Sequence, residues 1–133
     1  MRLVLDTNVL IAAFIAHGTC QEVLEHCIYH HEIVGSSFFL NEFHRTLVRK
    51  FGYSRSEAGA AEQLVHSRMI IVEPQALEVP ACRDPDDDIV LGTALAGACQ
   101  CLVTGDADLL ALVRYRGIDM ISPSSFWRYQ GSK

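Results

Sequence analysis

Apolar residues come along this chain in short blocks, and the spacing within the blocks is of two kinds. Leu3-Val4-Leu5, Ile33-Val34, Met69-Ile70-Ile71-Val72, Cys101-Leu102-Val103 and Met120-Ile121 are continuous apolar runs of strand length. Between them the apolar positions fall on helical stripes. Val23, Leu24, Cys27 and Ile28 follow an i, i+1, i+4, i+5 pattern, and Phe39, Leu40, Phe43, Leu47 and Val48 form a second stripe. The pattern predicts strands over 2–5, 32–35, 69–72, 101–103 and 119–121. It predicts helices over 9–14, 21–29, 38–50, 54–68 and 85–98, a short one ending near 113, and a last one containing Phe126 and Trp127.

Local signals mark the helix starts. Ser54-Arg55-Ser56-Glu57 has the S-x-x-E form of a capping box. Asp84 followed by Pro85 places an N-cap before a proline at the first helical position. The helix after Pro85 is small and apolar on nearly every side and is expected to be deeply buried. Strands alternating with helices imply a parallel sheet covered on both faces. The expected fold is α/β, a three-layer α/β/α sandwich around a central five-stranded parallel sheet, in one domain over 1–133. The first strand is expected at its centre.

Composition adds constraints. Half of the 133 residues are hydrophobic, enough for a real core in one domain. The start, Arg2 followed by apolar residues, imitates a signal peptide, but Asp6 and Asn8 interrupt it and no small-residue cleavage pattern follows. No window approaches the roughly 18–20 apolar residues a membrane span needs, so no membrane partner is expected. Five Cys, an odd number without a C-x-x-C spacing, indicate free thiols in a reducing cytoplasm. The net charge of −5 is unlike the basic excess of most nucleic-acid binders. Such a binder would need its acids gathered where divalent cations neutralise them.

The acids are placed for that. Asp6 follows the first strand, Asp106 and Asp108 follow the fourth, Asp84 to Asp88 open the helix before it, and Glu42 lies one turn into the helix after the second. Any one Asp at a helix start caps N–H groups and complements the helix dipole. Asp6, Asp87 and Asp106 together strain that reading. Two carboxylates ~4 Å apart repel by ~4 kcal/mol at an effective dielectric near 20, so a cluster needs protons or cations. All-oxygen carboxylate sites suit Mg²⁺ or Mn²⁺, ions that activate water for phosphodiester hydrolysis.

Asp6-Thr7-Asn8 after a first strand, Glu42 on the third helix, the Asp-Pro-Asp-Asp-Asp turn, and Leu102-Val103-Thr104-Gly105-Asp106-Ala107-Asp108-Leu109-Leu110 resemble the PIN-domain family. Within it, the chain is similar to the VapC-type toxins of type II toxin–antitoxin systems. The resemblance covers nearly the whole chain. It implies a Mg²⁺- or Mn²⁺-dependent ribonuclease with RNA as substrate, an antitoxin protein as partner and a homodimer. Its first acid falls on Asp6, with Thr7 and Asn8 in support, its second on Glu42, and its third on Asp87 or Asp88. Counting back from Thr93-Ala94-Leu95 favours Asp87. The fourth falls on Asp106, with Thr104 in support and Asp108 as a further metal-binding acid.

Arg45 and Arg49 follow Glu42 by three and seven residues on one helical face, where they are candidates to hold RNA phosphates. Arg45 is also placed simply to pair with Glu42. His26 and His30 form an i, i+4 pair without a third ligand, and Phe38, Phe39, Phe43 and Trp127 read as core rather than a stacking ladder. Leu64, Val65 and Met69 are either core or a partner surface. A non-catalytic binding module on the same fold, and an RNA-processing nuclease without an antitoxin, are the alternatives. A phosphoryl-transfer domain with Asp6 as nucleophile is disfavoured, because Asn8 stands where the dehalogenase-like pattern wants an acid.

Overall fold

The computed structural model describes residues 1–131. In chain order it runs through β1 (Arg2–Leu5), α1 (Thr7–Ile15), α2 (Thr19–His30), β2 (Glu32–Gly35), α3 (Ser37–Phe51) and α4 (Arg55–His66). There follow β3 (Met69–Ile71), α5 (Pro85–Ala96), β4 (Cys101–Val103), α6 (Ala107–Ala111), β5 (Arg114–Tyr115), β6 (Ile118–Ile121) and α7 (Phe126–Gly131), the last after a 3-10 turn at Pro123–Ser125.

Leu3, Val4 and Leu5 are fully buried, as a strand covered on both faces requires, and β1 lies inside the sheet. The strand order is β3-β2-β1-β4-β6-β5. All neighbours are parallel except β5 and β6. The chain builds outward from β1 to β2 to β3, then returns through α5 to add β4 on the other side of β1. Right-handed crossovers put α5 on the face opposite α1 to α4 when that direction reverses. The reversal also opens a crevice between the carboxyl ends of β1 and β4, the position where open α/β sheets bind ligands.

The three-layer α/β reading agrees with the structure; the strand count differs. A sixth strand, β5, pairs antiparallel with β6 across a tight turn at Arg116-Gly117, both with positive φ (48° and 88°). α6, expected to reach about Val113, ends at Ala111, and Val113 with φ 61° stands outside the helix. The two-residue length of β5 left no apolar run to read.

The core joins both faces of the sheet. Phe39, Phe43 and Phe126 are its largest fully buried side chains, with Leu10, Leu47, Leu91, Leu102 and Leu109 around them. The middle of α5 is buried from Val90 to Ala94, while Ala96 and Ala98 reach the surface. Gly92 lets α5 approach the loop after β3: a Cβ there would run into the Gln75 carbonyl, and Gln75 N–H donates to Gly92 O at 2.9 Å. Trp127 is not core. It is 36% exposed and stands edge-on to His26, ring centroids 5.0 Å apart. The capping box at Ser54 and Glu57 forms, with both bonds present. None of the five cysteines is in a disulfide, and burial pushes the Cys27 and Cys99 thiols up to about 12, which leaves them protonated and inert. Among the described residues, no helix is long and apolar enough to cross a membrane.

Candidate metal centre

Asp6 leaves the end of β1 and serves as the N-cap of α1. Its Oδ1 accepts from Thr7 N–H at 2.7 Å, and its Oδ2 accepts from Thr104 Oγ1 at 2.7 Å. Only 8% of it is exposed. Burial pushes its carboxyl above the usual range. The Thr104 and Thr7 bonds pull it back, and the charges of Asp106 and Glu42 push it up again. Thr7 is buried, whereas Asn8 is exposed.

Thr104 is the hinge of the crevice. It follows β4, is fully buried, and bonds in two directions: its hydroxyl donates to Asp6 and accepts from Asp106 N–H at 3.0 Å. One side chain therefore fixes the ends of β1 and β4 against each other. Asp106 caps α6, its Oδ1 accepting from Asp108 N–H at 2.8 Å and Leu109 N–H at 3.0 Å. Capping and participation in the cluster are compatible, because only Oδ1 is committed to the helix.

Asp87 comes from the first turn of α5, on the opposite wall. Burial is the largest of the causes that push its carboxyl up to about 6, followed by repulsion from Asp106, Asp84, Asp6 and Asp108. Asp87, Asp106 and Asp108 each offer an oxygen within 4.8 Å of the others, and this is the one such group of metal-ligating side chains among the described residues. The donors are all hard oxygens, mutually repelling, beside a buried fourth carboxylate on Asp6. That set fits a Mg²⁺- or Mn²⁺-sized divalent cation and gives no soft ligand for a thiophilic one.

Asp88, one residue on, faces elsewhere. Its Oδ1 accepts from Ala81 N–H at 3.1 Å and Cys82 N–H at 3.0 Å, tying the loop after β3 to the start of α5. Glu42 on α3 lies near enough to Asp6 to raise its carboxyl and pairs with Arg45, Oε1 to Nη2 at 2.9 Å. Arg49 is exposed farther along the same helix.

Three contacts go beyond what the sequence shows. Arg83 bridges 25 residues to Asp108, its Nη2 donating to Oδ1 at 2.9 Å and Oδ2 at 3.0 Å. Ser36 and Thr93 form a fully buried hydroxyl pair between the end of β2 and α5, Thr93 Oγ1 donating to Ser36 Oγ at 3.2 Å. Ser36 stands at the N-cap of α3, yet its side chain makes no cap bond. Lastly, Asp88 is a loop tie.

The chain belongs to the PIN domain family: residues 2–108 match the family's sequence model. No curated protein matches it in sequence. Among solved structures, the fold is similar to that of VapBC2 from Rickettsia felis bound to a DNA fragment from their promoter. The similarity has a TM-score of 0.66 at 18% identity and covers 92% of this chain and 98% of that one.

Proposed function

We propose that this chain is a Mg²⁺- or Mn²⁺-dependent endoribonuclease and the toxin of a toxin–antitoxin pair. The observation that carries the reading is the gathering of the Asp87, Asp106 and Asp108 oxygens within 4.8 Å, beside buried Asp6 at the crevice between β1 and β4. Asp6, Asp87 and Asp106 are the residues that would hold the cation, with Asp108 as a further acid. A divalent cation bound there would supply Lewis acidity to a water and offset negative charge on the phosphodiester. Glu42, near Asp6 on α3 and less enclosed than it, would position the cation or accept a proton from the attacking water. Thr104 holds Asp6 and Asp106 in register. Asp88 is left out of the metal set because its Oδ1 is turned to the Ala81 and Cys82 N–H groups and it is not among the acids whose oxygens gather within 4.8 Å.

An antitoxin partner and a homodimer belong to this reading. The VapBC2 complex is a relative in fold named with its own partner. Leu10, Phe14, Leu24, Ile28, Leu64 and Val65 line an apolar groove of about 420 Å³ between α1, α2 and α4, and Leu64 is 56% exposed beside it. An apolar antitoxin segment seated there would cover it. The test of function is cleavage of single-stranded RNA by the purified chain. Activity should need Mg²⁺ or Mn²⁺, stop in EDTA and disappear in Asp6→Asn with the fold intact. Cleavage that persists in EDTA would sink the metal mechanism.

A further inference from the structure

Among the described residues, two arginines are paired with acids of the cluster, and they stand on opposite flanks. Arg45 holds Glu42 on α3, which follows β2; Arg83 holds Asp108 on α6, which follows β4. The sheet order β2-β1-β4 places the acids of β1 and α5 between the two. Arg83 is 87% exposed in its side chain, and with only Nη2 engaged, its Nε and Nη1 donors face no protein partner.

Arg83 also stands on an unusually fixed piece of loop. On one side, the N–H groups of Ala81 and Cys82 are held by Asp88. On the other, Asp84 is locked as the cap of α5 by its bond from Asp86 N–H at 2.9 Å. The guanidinium is then held by Asp108, itself one of the gathered acids. A cation positioned in advance, with free donors in a planar fork, is suited to a phosphate.

We propose that Arg83 is a substrate-binding residue that takes a backbone phosphate of the RNA on the β4 side of the acids, across from Arg45. The Asp88 tie is what presents it. Asp108 then holds Arg83 in place as well as lying beside the metal acids. The inference rests on the ribonuclease reading and deepens it.

The test uses the full chain carrying Asp6→Asn, which binds but does not cut, and a short single-stranded oligoribonucleotide followed by fluorescence anisotropy from 50 to 200 mM KCl. Adding Arg83→Gln should weaken binding about five- to tenfold at low salt and lower the slope of log K against log salt by about 0.7, the share of one phosphate contact on a single strand. Mn²⁺ affinity, read by electron paramagnetic resonance, should stay within about twofold. Unchanged RNA affinity and slope would overturn the proposal, whatever Mn²⁺ affinity does. Failure of the ribonuclease reading itself shows separately, as a chain with its natural Asp6 that cuts no RNA with either metal.

Discussion

Replacing Asp87 by Asn should stabilise the metal-free protein. The Asp87 carboxyl is raised from an ordinary 3.8 to about 6 by burial and by four neighbouring acids. A shift of that size corresponds to ~3 kcal/mol against the charged form. Asp87 lies at a solvent-facing helix start, so screening brings the net cost to about 1–2 kcal/mol. Because the folded pKa lies above the unfolded one, the folded state holds an extra proton between about pH 4 and about pH 6. That stabilisation is complete below about pH 4 and is lost as pH rises to about 6. At pH 7.5 in EDTA the wild type bears the full repulsion and the isosteric amide does not. Asp87→Asn should therefore raise Tm by about 4–8 °C at pH 7.5 and by clearly less at pH 5. Saturating Mn²⁺ should reverse the ranking, since the ion stabilises the chain that binds it better. Circular-dichroism melts in the three conditions check this. A variant less stable than wild type in EDTA at pH 7.5 would refute the claim that Asp87 is held under repulsion.

Other substitutions separate structure from chemistry. Thr104→Val leaves a buried Asp6 oxygen and the Asp106 N–H without their shared partner; it should cost ~2–4 kcal/mol in urea melts and depress kcat more than KM. Gly92→Ala should cost about 1–3 kcal/mol, because its methyl meets the Gln75 backbone rather than a side chain that can turn away. Ser54→Ala removes one half of the α4 capping box and should cost ~1 kcal/mol with RNA cleavage unchanged at temperatures where the variant is folded, since no acid of the cluster lies on α4.

What the sequence disclosed depends on how local each feature is. Leu3-Val4-Leu5 ending in Asp6 is legible as a buried strand delivering an acid, because the run and its polar stop are contiguous. Asp106 arrives at the same edge for a topological reason: parallel neighbours in a sheet end on the same side, and β1 and β4 are neighbours. The choice between Asp87 and Asp88 is different. It turns on a loop folding back so that Ala81 and Cys82 reach Asp88, and no spacing along α5 records that return. The Arg83–Asp108 pair is hidden for the same reason, being 25 residues apart in sequence. The hairpin at Arg116-Gly117 was missed because two residues are too few to show a period. Trp127 read as core by residue type, and its place beside His26 at the surface comes from tertiary packing alone.

The most direct test of the metal centre is calorimetric titration of the metal-free chain with Mn²⁺ at pH 6 in two buffers of different ionisation enthalpy. Asp87, with its carboxyl at about 6, is about half protonated there, so binding should release about half a proton or more per ion. The release should shrink at pH 7.5, and affinity should fall at least about tenfold in Asp87→Asn. Undiminished binding in that variant, or binding without proton release at pH 6, would contradict a cation held by these acids.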